Sequence, residues 1–206
     1  MSLHVVLVHH PVLARDGSLI ASTITNLDVH DIARSARTYG AASYVLIHPV
    51  EAQRQLVERI LGHWEGGHGA TRIPTRKDAL AIVTQAPSLA DAYAPYGGRS
   101  AVEVWVTGAR PRQGKPSTDY PEARARLDAA EAAGKAVFLL FGTSWGLAPE
   151  ILDDADVYLA SIAAKIDAGF NHIKMKVGRD LEDDIRRLRI AREVIGPDRY
   201  LMIDAN

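Results

Sequence analysis

The chain has 206 residues, 47% of them hydrophobic and 24% charged, the balance of an ordinary soluble globular protein. A formal charge of −1 excludes a global basic field, so any RNA or DNA contact must come from a local patch. Cysteine is absent, which excludes disulfides, thiolate metal sites and cysteine nucleophiles and suits a reducing compartment.

The opening MSLHVVLVHHP has neither the charged nor the apolar region of a secretory signal. No apolar run approaches the roughly 20 residues of a membrane span, so a cytoplasmic location is expected. Residues 4–9 (HVVLVH) read as a strand ended by Pro11, and Arg15-Asp16-Gly17 as a turn. After a polar stretch, Asp28 is placed to cap a helix over 29–39 that buries Ile32, Ala36 and Tyr39 and stops at Gly40. Residues 43–48 (SYVLIH) read as a second strand. A helix over 51–64 then has Leu56, Ile60 and Trp64 in register and Arg54 outside.

GGHG at 66–69 breaks the chain into a loop. A short helix over 75–80, a short strand over 81–84, and a helix capped by Ser88 follow. AVEVWV (101–106) reads as a strand that runs into Thr107-Gly108-Ala109, with Trp105 in the core. A polar loop and a helix over 120–133 lead to KAVFLLFGTSWGL. Its six apolar residues, 136–141, fit a strand buried on both faces. The turn Gly142-Thr143-Ser144-Trp145-Gly146 brings backbone N–H groups to the surface beside one flat side chain. Two readings stay open there: a ligand pocket at a strand's carboxyl edge, or glycines that only relieve a tight turn. A helix over 149–154 and a strand over 157–160 follow, and alternation at this spacing predicts an α/β fold with a mostly parallel sheet. From Lys165 onward the chain is denser in charge, with an amphipathic helix (LEDDIRRLRIAREVIG, burying Ile185, Leu188 and Val194) between the apolar runs HIKMKV and YLMID.

LVHHPVL, TITNLDVHDIARSARTYG, EAQRQLVERILGHW, PTRKDAL and FLLFGTSWGL followed by ILDDADVYL together resemble a SPOUT-class RNA methyltransferase. The closest group is the stand-alone bacterial type related to tRNA guanine-N1 methyltransferases, and the likeness covers about residues 3–160. It implies a trefoil knot, a homodimer with its active site at the subunit interface, and an S-adenosylmethionine (SAM) site built from three loops. Carried onto this sequence, one loop supplies Thr107, Gly108 and Ala109. The second supplies Gly142, Thr143, Trp145, Gly146 and Leu147, with Leu140 at the strand end. The third keeps Asn171 and His172, where Ile173-Lys174-Met175-Lys176 replace the family's remaining residues. An apolar slot with backbone donors and acceptors suits adenosine, and no GxGxxG phosphate cradle is present.

Residues 161–206 resemble a fragment of an enolase-superfamily barrel of the mandelate-racemase or sugar-acid dehydratase type, through AGFNHIKMKVG, EDDIRRLRIAREVIGPD and LMIDAN. The resemblance makes Lys176 a base and Asp204 a Mg²⁺ ligand. A single carboxylate does not hold Mg²⁺ and the barrel needs eight strands, so no enolase-type activity is expected.

Asn26, Asp28, His30, Asp31 and Arg34 form the densest polar cluster of the first half. Asp28 or Asp31 can take a proton from a base nitrogen while Arg34 binds a phosphate or the donor's carboxylate. The structural alternative has Asp28 capping the helix and Arg34 pairing with an acid. His9, His10, His48 and His63 show no metal spacing and read as strand-end and surface residues. Arg72, Arg76 and Lys77, with Arg110, Arg112 and Lys115, are loop cations that either bind phosphate or are simply solvated. The expected function is SAM-dependent methylation of a base or ribose of structured RNA (tRNA or rRNA). The alternatives are a non-catalytic chimera or truncated fusion, its SPOUT core folded but its knot-closing segment replaced by a foreign tail and its SAM binding impaired, and an RNA-binding module without chemistry.

Overall fold

The computed structural model describes residues 2–66, 73–108, 117–160, 172–177 and 181–205. They fall into two compact units, one made of residues 1–107 and 126–157 and the other of 108–125 and 158–206.

The first unit is built on parallel strands β1 (Leu3–Val8), β4 (Ser43–Ile47), β5 (Val83–Ala86), β6 (Glu103–Gly108) and β7 (Val137–Gly142). The order is β5-β4-β1-β7-β6, and every pairing is parallel. Asp156 joins the outer edge of β6, its N–H donating to Val104 O (2.8 Å) and its Oδ2 accepting from Val104 N (2.8 Å). The strand that starts at Val157, β8 (Val157–Ala160), begins there. The expected α/β fold with a mostly parallel sheet is present. Two strands begin two residues later than expected: β5 at Val83 and β6 at Glu103, the latter because a 3₁₀ turn occupies Arg99–Ala101.

Helices α1 (Asn26–Thr38), α2 (Glu51–Gly66) and α3 (Pro74–Leu80) pack on one face around Leu7, Tyr44, Leu46, Val57, Leu80 and Val83. The cap of α1 differs from the expectation. Thr25, not Asp28, is the N-cap: its extended backbone lets its hydroxyl accept from Asp28 N, while Asp28 Oδ2 accepts from Thr25 N (2.7 Å) in a reciprocal capping box. The helix therefore starts earlier and ends earlier, which leaves Tyr39 beyond its last turn and 81% exposed; the buried stripe is Val29, Ala33 and Ala36. On α2 the inward residue is Val57 rather than Leu56, because 57, 60, 61 and 64 form the helical stripe. Arg54 is not outside: its guanidinium donates to the carbonyls of His48 and Pro49 (2.8 Å each) and pairs with Glu51.

Behind β1, His4 stacks on Phe138 (centroids 4.8 Å) and takes an edge contact from Tyr96, while Tyr93 meets the same Phe138 edge-on. Helix α4 (Leu89–Tyr93), capped by Ser88 as expected, carries Tyr93 there. Trp105 is in the core, its indole N–H donating to Glu103 Oε2. Helix α5 (Tyr120–Ala132) turns Leu127 and Ala130 inward, and α6 (Pro149–Asp154) buries Ile151. A hairpin that the sequence reading did not include, β2 (Val12–Leu13) with β3 (Leu19–Ile20), closes over Gly17 in a left-handed conformation.

In the second unit β9 (His172–Val177) and β10 (Tyr200–Ala205) pair in parallel, connected by α7 (Leu181–Ile195). The inward face of α7 is Asp184, Ala191 and Ile195; Ile185, expected inside, is 40% exposed. Asp184 answers its burial by accepting from Arg187 (3.0 Å).

Candidate functional site

The strand order reverses between β1 and β7: the chain steps outward from β1 to β4 and β5 on one side, and β6 and β7 lie on the other. In such sheets the crevice beyond the carboxyl ends at the reversal is the natural ligand site. The turn Gly142–Leu147 lies at that point, since Val8 pairs with Gly142.

The turn is tied to the strands beside it. Thr143 N donates to Val8 O, Trp145 N to Leu13 O and Gly146 N to Thr143 O, while Gly146 O accepts from Leu13 N (2.9 Å). The expected set of free backbone donors is thus corrected: β1 takes that of Thr143, hairpin β2–β3 that of Trp145, and the turn itself that of Gly146. Gly142 has a steric role. A Cβ there would lie 2.6 Å from Leu147 N and 2.9 Å from Gly146 C, both backbone atoms that cannot swing aside. The missing side chain lets the Gly142 backbone pack directly on the Gly146–Leu147 peptide, over buried Leu140 and Leu147. Gly146 (φ +111°) and Ser144 (φ +54°) carry the left-handed conformations that reverse the chain, and the Trp145 ring stands 44% exposed. Thr107 lies beside this floor, its hydroxyl donating to Leu140 O (3.1 Å). Strand β7 is consequently not buried on both faces along its length: Phe141 is exposed where it meets the turn.

So Thr107, Leu140, Gly142, Thr143, Trp145, Gly146 and Leu147 are brought together on two adjacent strands. Gly108 belongs to the second unit, where a Cβ would run into Tyr158 Oη. His172, also in that unit, stacks on Tyr200 (centroids 4.7 Å, planes 9° apart). Ala109 and Asn171 lie outside the described residues, as do Arg72, Arg110, Arg112 and Lys115.

Buried histidines, read from sequence as strand-end and surface groups, form a polar wall behind the same turn. Thr143 Oγ1 donates to Val8 O (3.1 Å), so its oxygen accepts from the Ser22 hydroxyl at 2.5 Å. Ser22 Oγ must then accept from His9 Nδ1 (3.0 Å), which fixes the Nδ1–H tautomer and leaves Nε2 a bare lone pair. That Nε2 is buried and has no hydrogen-bond partner among the described residues. Burial pushes the His9 pKa down to about 4 against a small opposing pull from Asp28. His48 has the other tautomer: its Nδ1 accepts from Val50 N, so Nε2–H donates to Ser22 O (2.9 Å). Burial lowers its pKa as well. Histidines punctuating an apolar run just before a proline, LVHHP, were the available signal for this wall.

In the polar cluster of α1, Asn26, Asp31 and Arg34 are exposed while Asp28 and His30 are half-buried. Asp28 Oδ2 is committed to Thr25, and the carbonyl of Asp28 accepts from the buried Tyr44 hydroxyl (3.0 Å). Asp31 and Arg34 pair one turn on at 2.7 Å, each more than half exposed. Arg34 also lines a pocket of about 290 Å³ with Arg37, Thr38, Thr75 and Arg76, between the last turns of α1 and helix α3. The Arg76 guanidinium lies over the Trp64 ring (5.0 Å to its centroid), and Lys77 donates to Glu65 O. No group of three or more His, Asp or Glu side chains able to hold a metal occurs among the described residues.

Comparison with known proteins supplies the family. Residues 2–178 match a family described as SAM-dependent RNA methyltransferases, and residues 158–206 match one described as enolase C-terminal domain-like. A tRNA (guanine-N(1)-)-methyltransferase of Oleidesulfovibrio alaskensis is 34% identical over 175 residues, covering 85% of this chain and 39% of that protein. The chain thus spans about two-fifths of the length of that relative. An uncharacterised protein of Aquifex aeolicus is 26% identical over 175 residues, 85% of this chain and 83% of its own. The tail is 58% identical over 38 residues, 18% of this chain, to mitochondrial enolase superfamily member 1 of Bos taurus, of which it covers 9%. Among solved structures, a methylase-family protein of Neisseria gonorrhoeae superposes with a TM-score of 0.51 at 12% identity, covering 98% of this chain and 85% of that one, a likeness of fold. With its parallel sheet, its glycine turn and a match that runs from residue 2 to residue 178, the chain belongs to the SAM-dependent RNA methyltransferase family.

Proposed function

We propose that the chain methylates a base or ribose of structured RNA (tRNA or rRNA), with SAM as donor. The observation that carries the reading is the Gly142 turn: at the sheet's reversal point a glycine with no room for a side chain packs on the Gly146–Leu147 backbone over the apolar Leu140 and Leu147, a surface that suits an adenine ring. Thr107, Leu140, Gly142, Thr143, Trp145, Gly146 and Leu147 would hold the cofactor, completed by Gly108, Ala109, Asn171 and His172. SAM, when bound, supplies a methyl group on a sulfonium centre. The chain's own part is positioning and proton removal. Asp28 already serves the helix cap, so Asp31 takes the proton from the accepting nitrogen or hydroxyl, with Arg34 steadying the resulting charge.

In this reading residues 1–160 form the methyltransferase domain, and residues 161–206 are an enolase-barrel-like segment in place of the usual knot-closing one. The overlap of the two family matches over residues 158–178 supports such a seam. The protein works as a cytoplasmic homodimer with a trefoil knot. No described helix is long and apolar enough to cross a membrane. Calorimetric titration with SAM is the test: binding in the micromolar range is expected, and no heat at millimolar SAM overturns the proposal.

A further inference from the structure

We propose that the pocket between α1 and α3 is a phosphate-binding site that grips the backbone of the RNA, through Arg34, Arg37, Arg76 and the hydroxyl of Thr75. The inference rests on the methyltransferase reading for its ligand and on the pocket alone for its chemistry.

Three arginines from two helices line about 290 Å³ of open space. One acid, Asp31, answers them, and it is taken by Arg34. Among the described residues Arg37 has no ion-pair partner. Arg76 Nε is buried without a hydrogen-bond partner, and Trp64 covers one face of its guanidinium. A planar cation with one face on an aromatic ring and an unspent edge donor is preorganised for a phosphate's oxygens. Burial, Arg76 and Arg34 act against protonation of His30 and Asp31 acts for it, which places two cations and one anion around a single imidazole. Like charges held together this way cost free energy unless an anion joins them.

The ordinary explanation covers part of the cluster. A cation in the last turn of α1 suits the helix dipole, which accounts for Arg37 by itself. It does not account for Arg76, which comes from α3 and is half-buried. Thr38 is excluded from the donor set because its hydroxyl already donates to Arg34 O (2.8 Å). A protein of charge −1 has to bind RNA through a local concentration of arginine, and this pocket is one.

The test is anisotropy of a fluorescently labelled tRNA transcript with the full chain at several KCl concentrations between about 50 and about 200 mM. Arg37→Gln and Arg76→Gln are each expected to weaken binding several-fold at low salt and to flatten the salt slope by about one, while Arg76→Lys and the distant surface variant Arg59→Gln keep the slope of the wild type. Thermal melts confirm folding, and Arg37, exposed at a helix end, provides the variant least able to perturb it. Unchanged slopes in both glutamine variants, with unchanged binding of inorganic pyrophosphate, overturn the site. Inorganic pyrophosphate binding that both variants lose, with RNA slopes intact, overturns the RNA assignment in favour of a free phosphate ligand. SAM calorimetry on the same proteins is expected to be unaffected. A wild type that takes no SAM but shows the arginine-dependent slope overturns the methyltransferase reading and leaves the pocket standing.

Discussion

The turn after β7 and the arginine pocket differ in what holds them. The turn is tied into the body of the unit: three of its N–H groups, one carbonyl and the Thr143 hydroxyl bond to β1, to hairpin β2–β3 and to each other. The pocket is lined by charges with little internal compensation, its Arg34–Asp31 pair lying on the surface. Residues of the first region therefore affect stability and cofactor shape together. Residues of the second affect binding while leaving the fold nearly untouched.

The largest expected effect is on the turn side and is set by pH. His9 is neutral in the fold, with its pKa depressed from 6.5 to about 4, so the unfolded chain binds more protons between those values. Stability therefore falls as pH drops from about 6.5 to about 4, by on the order of 3 kcal/mol for this group. His4 and His48, also lowered by burial, act in the same direction. Denaturant titrations across that range are expected to show the loss. His9→Asn, which keeps a donor for Ser22 and removes the titration, should flatten part of it. An equally steep profile in the variant would detach the histidine wall from the turn's stability.

Next in size is Gly142→Ala. Its Cβ would lie within 3 Å of two backbone atoms, so the turn must move; a loss of about 2 kcal/mol is expected, together with SAM affinity. Thermal melting and calorimetry read the two effects separately. An alanine variant that melts like the wild type would show the turn to be as loosely held as the pocket.

Thr25→Ala removes the cap of α1 and should cost about 1 kcal/mol. It should leave the salt slope of RNA binding alone, since the pocket lies at the other end of the helix. Asp31→Asn removes an exposed i,i+3 partner of Arg34 and should shift stability by less than about 0.5 kcal/mol. A methyl-transfer assay on the same variant is expected to show a large loss; full activity would remove Asp31 from the chemistry.

The elements were legible where local rules are strong. Ser88 before LADAY, Pro149 at a helix start and VFLLFG before a glycine turn all appear where pattern and propensity place them. Errors arose where a neighbour in space chose between local options. Asp28 and Thr25 are both sound cap residues, and the extended backbone at Thr25 settled the choice. Leu56 and Val57 are both apolar, and the helix face presented to β4 and β5 decided which went in. Of the site, the glycine turn was visible because an amide approach that close tolerates no Cβ. The histidine wall was not, because Ser22, His48 and Thr143 come from distant parts of the chain.

By itself the sequence determined the alternation of strands and helices, the absence of thiol chemistry, the family likeness of the two glycine-bearing strand ends and the change of character near residue 160. Each of these is written in contiguous residues, where periodicity and steric demand act over one turn or one strand. Tertiary structure alone decided that three of the turn's amides are spent on β1, on hairpin β2–β3 and within the turn, that three histidines are buried, and that Arg34, Arg37 and Arg76 share one pocket. Those facts depend on which surfaces of separate elements meet, and burial, desolvation and charge proximity exist only once they have met.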